Sequence, residues 1–360
     1  MLGRAGIMAS LARWLGPPTP ATEVPAGVRR SRVRVQGKRE VFDAWVYQPS
    51  AGRVRGALLL LPGLHYLGPA DPRLDRFNRV LARSGVLVLS PFLPSFARLH
   101  VNAALGPDAI AAYDTLTELP AARGLRPGVF SISTGSLPAA RVCAARDVGG
   151  WVVFGGYHDF AECVRFSLTS GGGVVPADPL NRPVVYLNLL PFMPDTPADT
   201  APLERALRRY VEQTWGRAEM KVDGHWRTVS DRVETELSGP ARAIFRRATG
   251  ADDPTGVIGL RALAASGDMF DCMDPRESIA RYQGRSVVVH GRDDDVVPIG
   301  EAHALHTALS AAGGDSRLHL TGMYGHTGSS RFALMDAGRE LRSMLGIVDG
   351  IARCSGGVVS

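Results

Sequence analysis

Regular patterning begins at Val28, where apolar and polar positions alternate through Val33 and Val35, break at Gln36 and Gly37, and resume at Val41, Ala44, Val46 and Tyr47. Period-two alternation around a glycine-containing break predicts a β-hairpin. The following segments differ in kind. Ala57 to Leu61 and Val86 to Leu89 are continuous aliphatic runs, halted by Pro62-Gly63 and by Pro91, as expected of strands covered on both faces of a sheet. Between them, Phe77, Val80 and Leu81 fall on one side of a helix predicted over about 75–84 and ended by Gly85. A helix over 108–119, a strand over 128–131, a helix over 137–145 and a strand over 151–154 continue the series. This order predicts an α/β architecture with a mostly parallel central sheet flanked by helices.

After Phe154 the rhythm breaks. Gly171 to Gly173 read as a flexible hinge, and Pro176, Pro179, Pro183, Pro191, Pro194 and Pro197 punctuate a stretch that regains helical patterning only around Leu203 to Val211. Strand patterning returns at Ser286 to His290 and at Arg317 to Leu320. The expectation is one sheet domain in two pieces, residues 28–160 and 283–349, interrupted by an insertion over 161–282. A flexible lead-in over 1–27 and a tail over 350–360 flank it.

Composition narrows the function classes. A chain of 360 residues with 45% hydrophobic content buries a sizeable core without metal or disulfide staples. Cys143, Cys163, Cys272 and Cys354 are scattered rather than paired at zinc-site spacing, so they read as free thiols. The net charge of +6 is almost all arginine, because Lys38 and Lys221 are the only lysines. The basic stretch from Arg29 to Arg39 alternates with Val33 and Val35, and no nucleic-acid motif accompanies it. It reads as a solvated strand face, not a nucleic-acid surface. No apolar run approaches the roughly 20 residues of a membrane span, and residues 1–15 lack the apolar region of a signal peptide. No membrane insertion and a cytoplasmic location are therefore expected.

The chemistry concentrates at strand ends. Ser133 is the only serine with a small residue two before it, Ser131, and a glycine two after it, Gly135, and it falls between a predicted strand and a predicted helix. A tight strand-to-helix turn needs small residues there, because larger side chains would collide with neighbouring elements. A serine hydroxyl needs a general base to take its proton and a carboxylate to orient that base. Downstream, the 286–290 strand is followed by Gly291-Arg292-Asp293-Asp294-Asp295-Val296-Val297-Pro298, and the 317–320 strand by Gly322-Met323-Tyr324-Gly325-His326.

In the order Ser, Asp, His, and in the motifs Leu61-Pro62-Gly63-Leu64, Ser131 to Gly135, His290-Gly291 through Val297-Pro298, and Gly325-His326, the chain resembles the α/β-hydrolase superfamily over about 33–160 and 283–345. The resemblance implies an α/β-hydrolase fold with an inserted cap, Ser133 as nucleophile, His326 as general base and then acid, and Asp294 as orienting carboxylate. Some members place the acid after the sixth strand, where Asp159 stands here. The oxyanion hole would be the backbone N–H groups of Leu64 and Thr134. Pro62 and Ser131 stand where the family usually has histidine and often has glycine; neither change removes a catalytic group. The implied function is a serine hydrolase acting on an ester or related acyl bond of a small apolar substrate, with no cofactor or metal. Carbon–carbon or amide hydrolysis, perhydrolysis and non-catalytic binding of a hydrophobic ligand are the alternatives.

Other polar residues carry plainer readings. His303 and His306 share a helix face, His290 reads as a packed histidine, and Asp71, Arg73, Asp75 and Arg76 read as a charged helix start. His65, beside the oxyanion loop, fits a substrate contact and a surface role equally. Tyr186, Leu187, Leu190, Phe192, Met193, Trp215 and Phe245 suit either an acyl pocket or the insertion's own core.

Overall fold

Aliphatic runs that are apolar at every position can be buried only if both faces of the sheet are covered, and the computed structural model has that arrangement. It describes residues 2–16, 19–20, 22–169, 175–253, 255–322 and 337–356. The strands are β1 (Val28–Gln36), β2 (Val41–Pro49), β3 (Gly56–Leu61), β4 (Val86–Pro91), β5 (Gly128–Ile132), β6 (Trp151–Phe154), β7 (Ser286–Gly291) and β8 (Ser316–Thr321). They form one sheet in the order β1-β2-β4-β3-β5-β6-β7-β8, antiparallel at β1–β2 and β2–β4 and parallel from β4 to β8. The predicted hairpin is β1–β2, with Gln36 opposite Val41.

The helices of the sheet layers are α1 (Leu2–Leu15), α2 (Pro72–Arg83), α3 (Pro94–Ala97), α4 (Leu105–Glu118) and α5 (Ser136–Ala145). Between β6 and β7 come α6 (Phe160–Thr169), α7 (Arg182–Leu189), α8 (Ala201–Thr214), α9 (Trp226–Glu234), α10 (Gly239–Ala248), α11 (Val257–Ala265) and α12 (Arg276–Arg281). Two more, α13 (Ile299–Ala311) and α14 (Ala337–Cys354), accompany β7 and β8. Successive strand residues point to opposite faces. Leu58 and Leu60 of β3 therefore pack with α1, α2 and α14, while Ala57, Leu59 and Leu61 pack with α4 and α5. Among the described residues no helix is long and apolar enough to cross a membrane.

Three expectations change. The lead-in is helical over Leu2–Leu15, and it is docked: Ile7 and Leu11 are buried in the core of the α2–α14 face, and Arg4 pairs with Asp349. Its apolar residues form no clear stripe in sequence because the outward side of α1 carries Ala5 and Ala9 as well as Arg4 and Arg13. The tail boundary also moves, since α14 runs through residue 350 to Cys354 and the Ser355 carbonyl accepts from the Ala57 amide at 2.7 Å. Third, the proline-punctuated stretch contains α7, with Pro183 in its first turn, where a missing N–H costs nothing. The glycines at 171–173 lie outside the described residues. Residues 175–253 and 255–285 of the segment between β6 and β7 hold helices and turns but no strand.

The arginines of β1 are exposed and largely matched: Arg30 lies 3.8 Å over the Trp45 ring and bonds Asp75, and Arg32 pairs with Asp43. Cys143, Cys163, Cys272 and Cys354 are thiols rather than disulfides. Because Leu11 is fully buried, Leu11→Ala should lower stability by about 2–5 kcal/mol. Chemical denaturation reads this directly, and an unchanged midpoint would mean that α1 contributes nothing to the core.

Candidate active site

The carboxyl ends of the parallel strands converge on a cavity of about 970 Å3. In open α/β sheets this edge is where loops meet a ligand. Ser133 and Thr134 line the cavity from the end of β5, and Pro62, Gly63, Leu64 and His65 line it from the end of β3. Asp293, Asp295, Val296 and Val297 do so from the loop after β7.

Ser133 is the turning point between β5 and α5. Its φ is +51°, a left-handed conformation that a side chain makes costly and that persists only where the surroundings enforce it. The surroundings here are tight. A Cβ on Gly135 would lie 2.6 Å from the Pro62 carbonyl oxygen and 3.0 Å from that of Leu61, and a Cβ on Gly63 would lie 3.3 Å from the Ser133 Cβ. The glycine two after the serine is thus required by backbone contact with the β3 turn. Ser131, fully buried, accepts a hydrogen bond from Trp151 Nε1 at 2.9 Å, and Ser136 Oγ donates to the Ser133 carbonyl at 2.7 Å.

Asp294 is buried, and its Oδ1 accepts from the Val296 and Val297 amides at 2.9 and 2.8 Å. His290, fully buried as its packed reading requires, brings Nε2 within 3.0 Å of the Val297 carbonyl and 3.6 Å of Asp294 Oδ2. The neighbours diverge: Asp295 turns to Lys221, at 2.6 Å. Asp159 has a different task, since its Oδ1 accepts from the Ala161 and Glu162 amides at 2.9 and 3.3 Å at the start of α6. His326 lies outside the described residues.

His65 is not a surface residue. Its ring stacks on Tyr66 at 4.7 Å and lies 5.7 Å from Trp215, and its Nδ1 accepts from the Leu67 amide at 3.2 Å. Burial lowers its pKa, outweighing the attraction of Asp71, whose Oδ2 is 3.5 Å from Nε2. Asp71 in turn caps α2 by accepting from the Arg73 and Leu74 amides, and Arg73 also grips its carboxylate. Burial alone would raise the Asp71 carboxyl, but the Arg73 bonds bring it below its ordinary value. The charged helix start therefore braces the loop that follows Gly63.

Of the apolar residues weighed as pocket or core, Trp215 lines the cavity, whereas Tyr186, Leu187, Leu190, Met193 and Phe245 are buried in the core. The helical segment instead presents Phe160, Val164, Leu180, Val184 and Phe270 to the cavity. His303 is exposed, and His306 bonds Ser316 at 2.8 Å. Among the described residues no group of three or more His, Cys, Asp or Glu is arranged to hold a metal ion.

Glu340 carries no sequence motif, yet it joins two of the loops. Its Oε2 accepts from Thr321 Oγ1 at 2.8 Å and the Gly322 amide at 3.0 Å, and it pairs with Arg292. Only the approach of α14 to β8 reveals it.

The sequence matches no family model and no curated protein. Solved structures do resemble it. A 2,6-dihydroxy-pseudo-oxynicotine hydrolase matches with TM-score 0.50 at 13% identity, over 91% of this chain and 68% of that one. A Pyrobaculum calidifontis esterase matches with TM-score 0.47 at 15% identity, over 97% and 90%. Against a Pyrococcus horikoshii acylaminoacyl peptidase the TM-score is 0.47 at 12% identity, and 90% of this chain spans only 40% of that protein. The chain has the α/β-hydrolase fold.

Two outcomes follow from the packing. Gly135→Ala should lose about 2 kcal/mol or more of stability, because its Cβ meets backbone. Gly300→Ala, in α13 where a Cβ would meet nothing within 4 Å, should gain up to about 1 kcal/mol; equal effects in paired denaturation curves would refute the steric demand at Gly135. For Glu340, burial acts upward but Arg292, Thr321 and Gly322 outweigh it, so the carboxyl sits below its ordinary value. A depressed carboxyl stabilises above its unfolded value and loses that contribution as pH falls through the folded one. Glu340→Gln should thus cost about 1–3 kcal/mol near pH 7, and the gap to wild type should close on acidification below the carboxylate range.

Proposed function

We propose that the chain is a serine hydrolase that cleaves an ester, or a related acyl bond, of a small apolar substrate through an acyl-serine intermediate. The observation that carries this reading is Ser133, held at positive φ at the end of a central strand and opening into an apolar-walled cavity. A nucleophile is worth straining the backbone for, because the sharp turn lifts its Oγ clear of the sheet.

In the proposed mechanism His326 takes the Ser133 proton as Oγ attacks the acyl carbon, and Asp294 orients and supports the imidazolium. The Leu64 and Thr134 amides then stabilise the developing oxyanion, a role whose usual value is a factor of roughly 10²–10³ in kcat per donor. The contact of Gly63 with Ser133 supports this placement of the Leu64 amide. Protonated His326 gives its proton to the leaving alcohol. Water, deprotonated by His326, then attacks the acyl-serine, and as the acyl–Oγ bond breaks His326 returns the proton to Ser133 and the acid leaves. Asp294 is favoured over Asp159 because Asp159 is committed to capping α6. Residues between β6 and β7 act as a cap, and Phe160, Val164, Leu180, Val184 and Phe270 offer the acyl group an apolar wall.

A fluorophosphonate probe should label the wild-type protein at Ser133. Ser133→Ala should abolish the labelling and lower kcat on p-nitrophenyl esters by about 10³-fold or more. Unchanged labelling would exclude Ser133 as the nucleophile.

A further inference from the structure

Lys221 is one of only two lysines in the chain, and it lies in the helical turns Ala218–Gly224 on the wall of the cavity that holds Ser133. Its Nζ is 2.8 Å from Asp178 Oδ2 and 2.6 Å from Asp295 Oδ2. The two carboxylates come from different parts of the fold. Asp178 stands in the segment between α6 and α7, with its side chain 2% exposed, and its Oδ1 accepts from the Leu180 amide at 3.0 Å. Asp295 is the residue after Asp294, in the loop that follows β7. The Asp178 amide also donates to the Asp295 carbonyl at 2.7 Å, so backbone and side chain join the same two segments.

We propose that Lys221 is a positioning residue for the acid loop: its ammonium draws Asp178 of the cap and Asp295 of the core together and so fixes Asp294 when the cap is seated. This rests on the acyl-serine reading above. Asp294's bonds to the Val296 and Val297 amides are local to the loop and set its shape, not its place in the protein. Its place is set by outside ties. His290 and Arg292 hold the loop from the sheet side, through the Val297 carbonyl and through Glu340. Among the described residues, Lys221 and the Asp178 amide hold it on the cavity side.

The charges make the tie specific. Two carboxylates share one ammonium, and without it they would face each other as like charges, with Asp178 buried and Asp295 partly exposed. Burial pushes the Asp178 carboxyl up, against the pull of Lys221. Burial would lower the Lys221 ammonium, but Asp178 and Asp295 hold it above its ordinary value. A guanidinium also spans two carboxylates, so Lys221→Arg preserves the tie, whereas Lys221→Met keeps the aliphatic stem and removes the charge.

The test is steady-state turnover of a p-nitrophenyl ester by the full chain, with Ser133→Ala alongside. Lys221→Met should lower kcat by roughly 10-fold or more while KM moves less than about threefold, and Lys221→Arg should keep at least about a third of wild-type kcat. If Lys221→Met does not fold, Asp178→Asn/Lys221→Met removes one charge of each sign and should show the same loss of kcat. Wild-type kcat in the folded Met variant, a loss confined to KM, or equal loss in the Arg and Met variants would each overturn the proposal while leaving the acyl-serine reading intact. Turnover by Ser133→Ala at the wild-type rate would overturn both.

Discussion

The structure turns on one close backbone contact, between the turn at the end of β3 and the turn at the end of β5. A Cβ on Gly135 would run into the Pro62 carbonyl, and one on Gly63 would crowd Ser133. Parallel neighbours β3 and β5 are in register from Leu58–Gly128 to Leu61–Ser131, so both strands end at the same height and their turns must share one small space. Two glycines make that possible. The left-handed backbone at Ser133 is the cost of the arrangement, and the buried sheet beneath it bears that cost.

Everything around this contact acts to brace it. Below the turns, the alternate faces of β3, β4, β5 and β6 are filled by two helical layers, and α1 and α14 close one of them. Beside the β3 turn, Arg73, Asp71 and His65 form a chain of polar contacts that stiffens the loop after Gly63. On the far side, His290 and Arg292 secure the loop carrying Asp294. Charged groups are used here where each has a partner close by, which is the condition under which burying them is tolerable.

Over the cavity the construction is different. The segment between β6 and β7 buries Tyr186, Tyr210 and Phe245 in a core continuous with one face of the sheet, and it turns Phe160, Val164, Trp215 and Phe270 toward the cavity. It meets the loop after β7 through the Asp178 amide and through Lys221, both polar contacts. Polar ties of this kind fix register without adding much net stability.

Much of this was legible in the sequence, and for definable reasons. Strands β3, β4, β5, β6 and β7 each carry a continuous apolar run because they are covered on both sides, so the parallel sheet could be read from local pattern. The small-x-Ser-x-Gly turn was equally legible, because its steric demand falls on residues two apart in the chain. What depends on distant packing was not legible. Residues 2–15 read as a loose lead-in because their burial against α2 and α14 leaves no strong periodicity. Proline-rich 176–197 hid α7 because a proline in the first turn permits a helix as readily as it ends one. Glu340 and Lys221 carry no motif, since their meaning lies in partners 48 and 74 residues away. Local sterics and periodicity, then, determined the sheet and the turn at Ser133. Tertiary structure alone decided which charges meet around that turn, because an ion pair depends on where two segments come together and not on the residues between them.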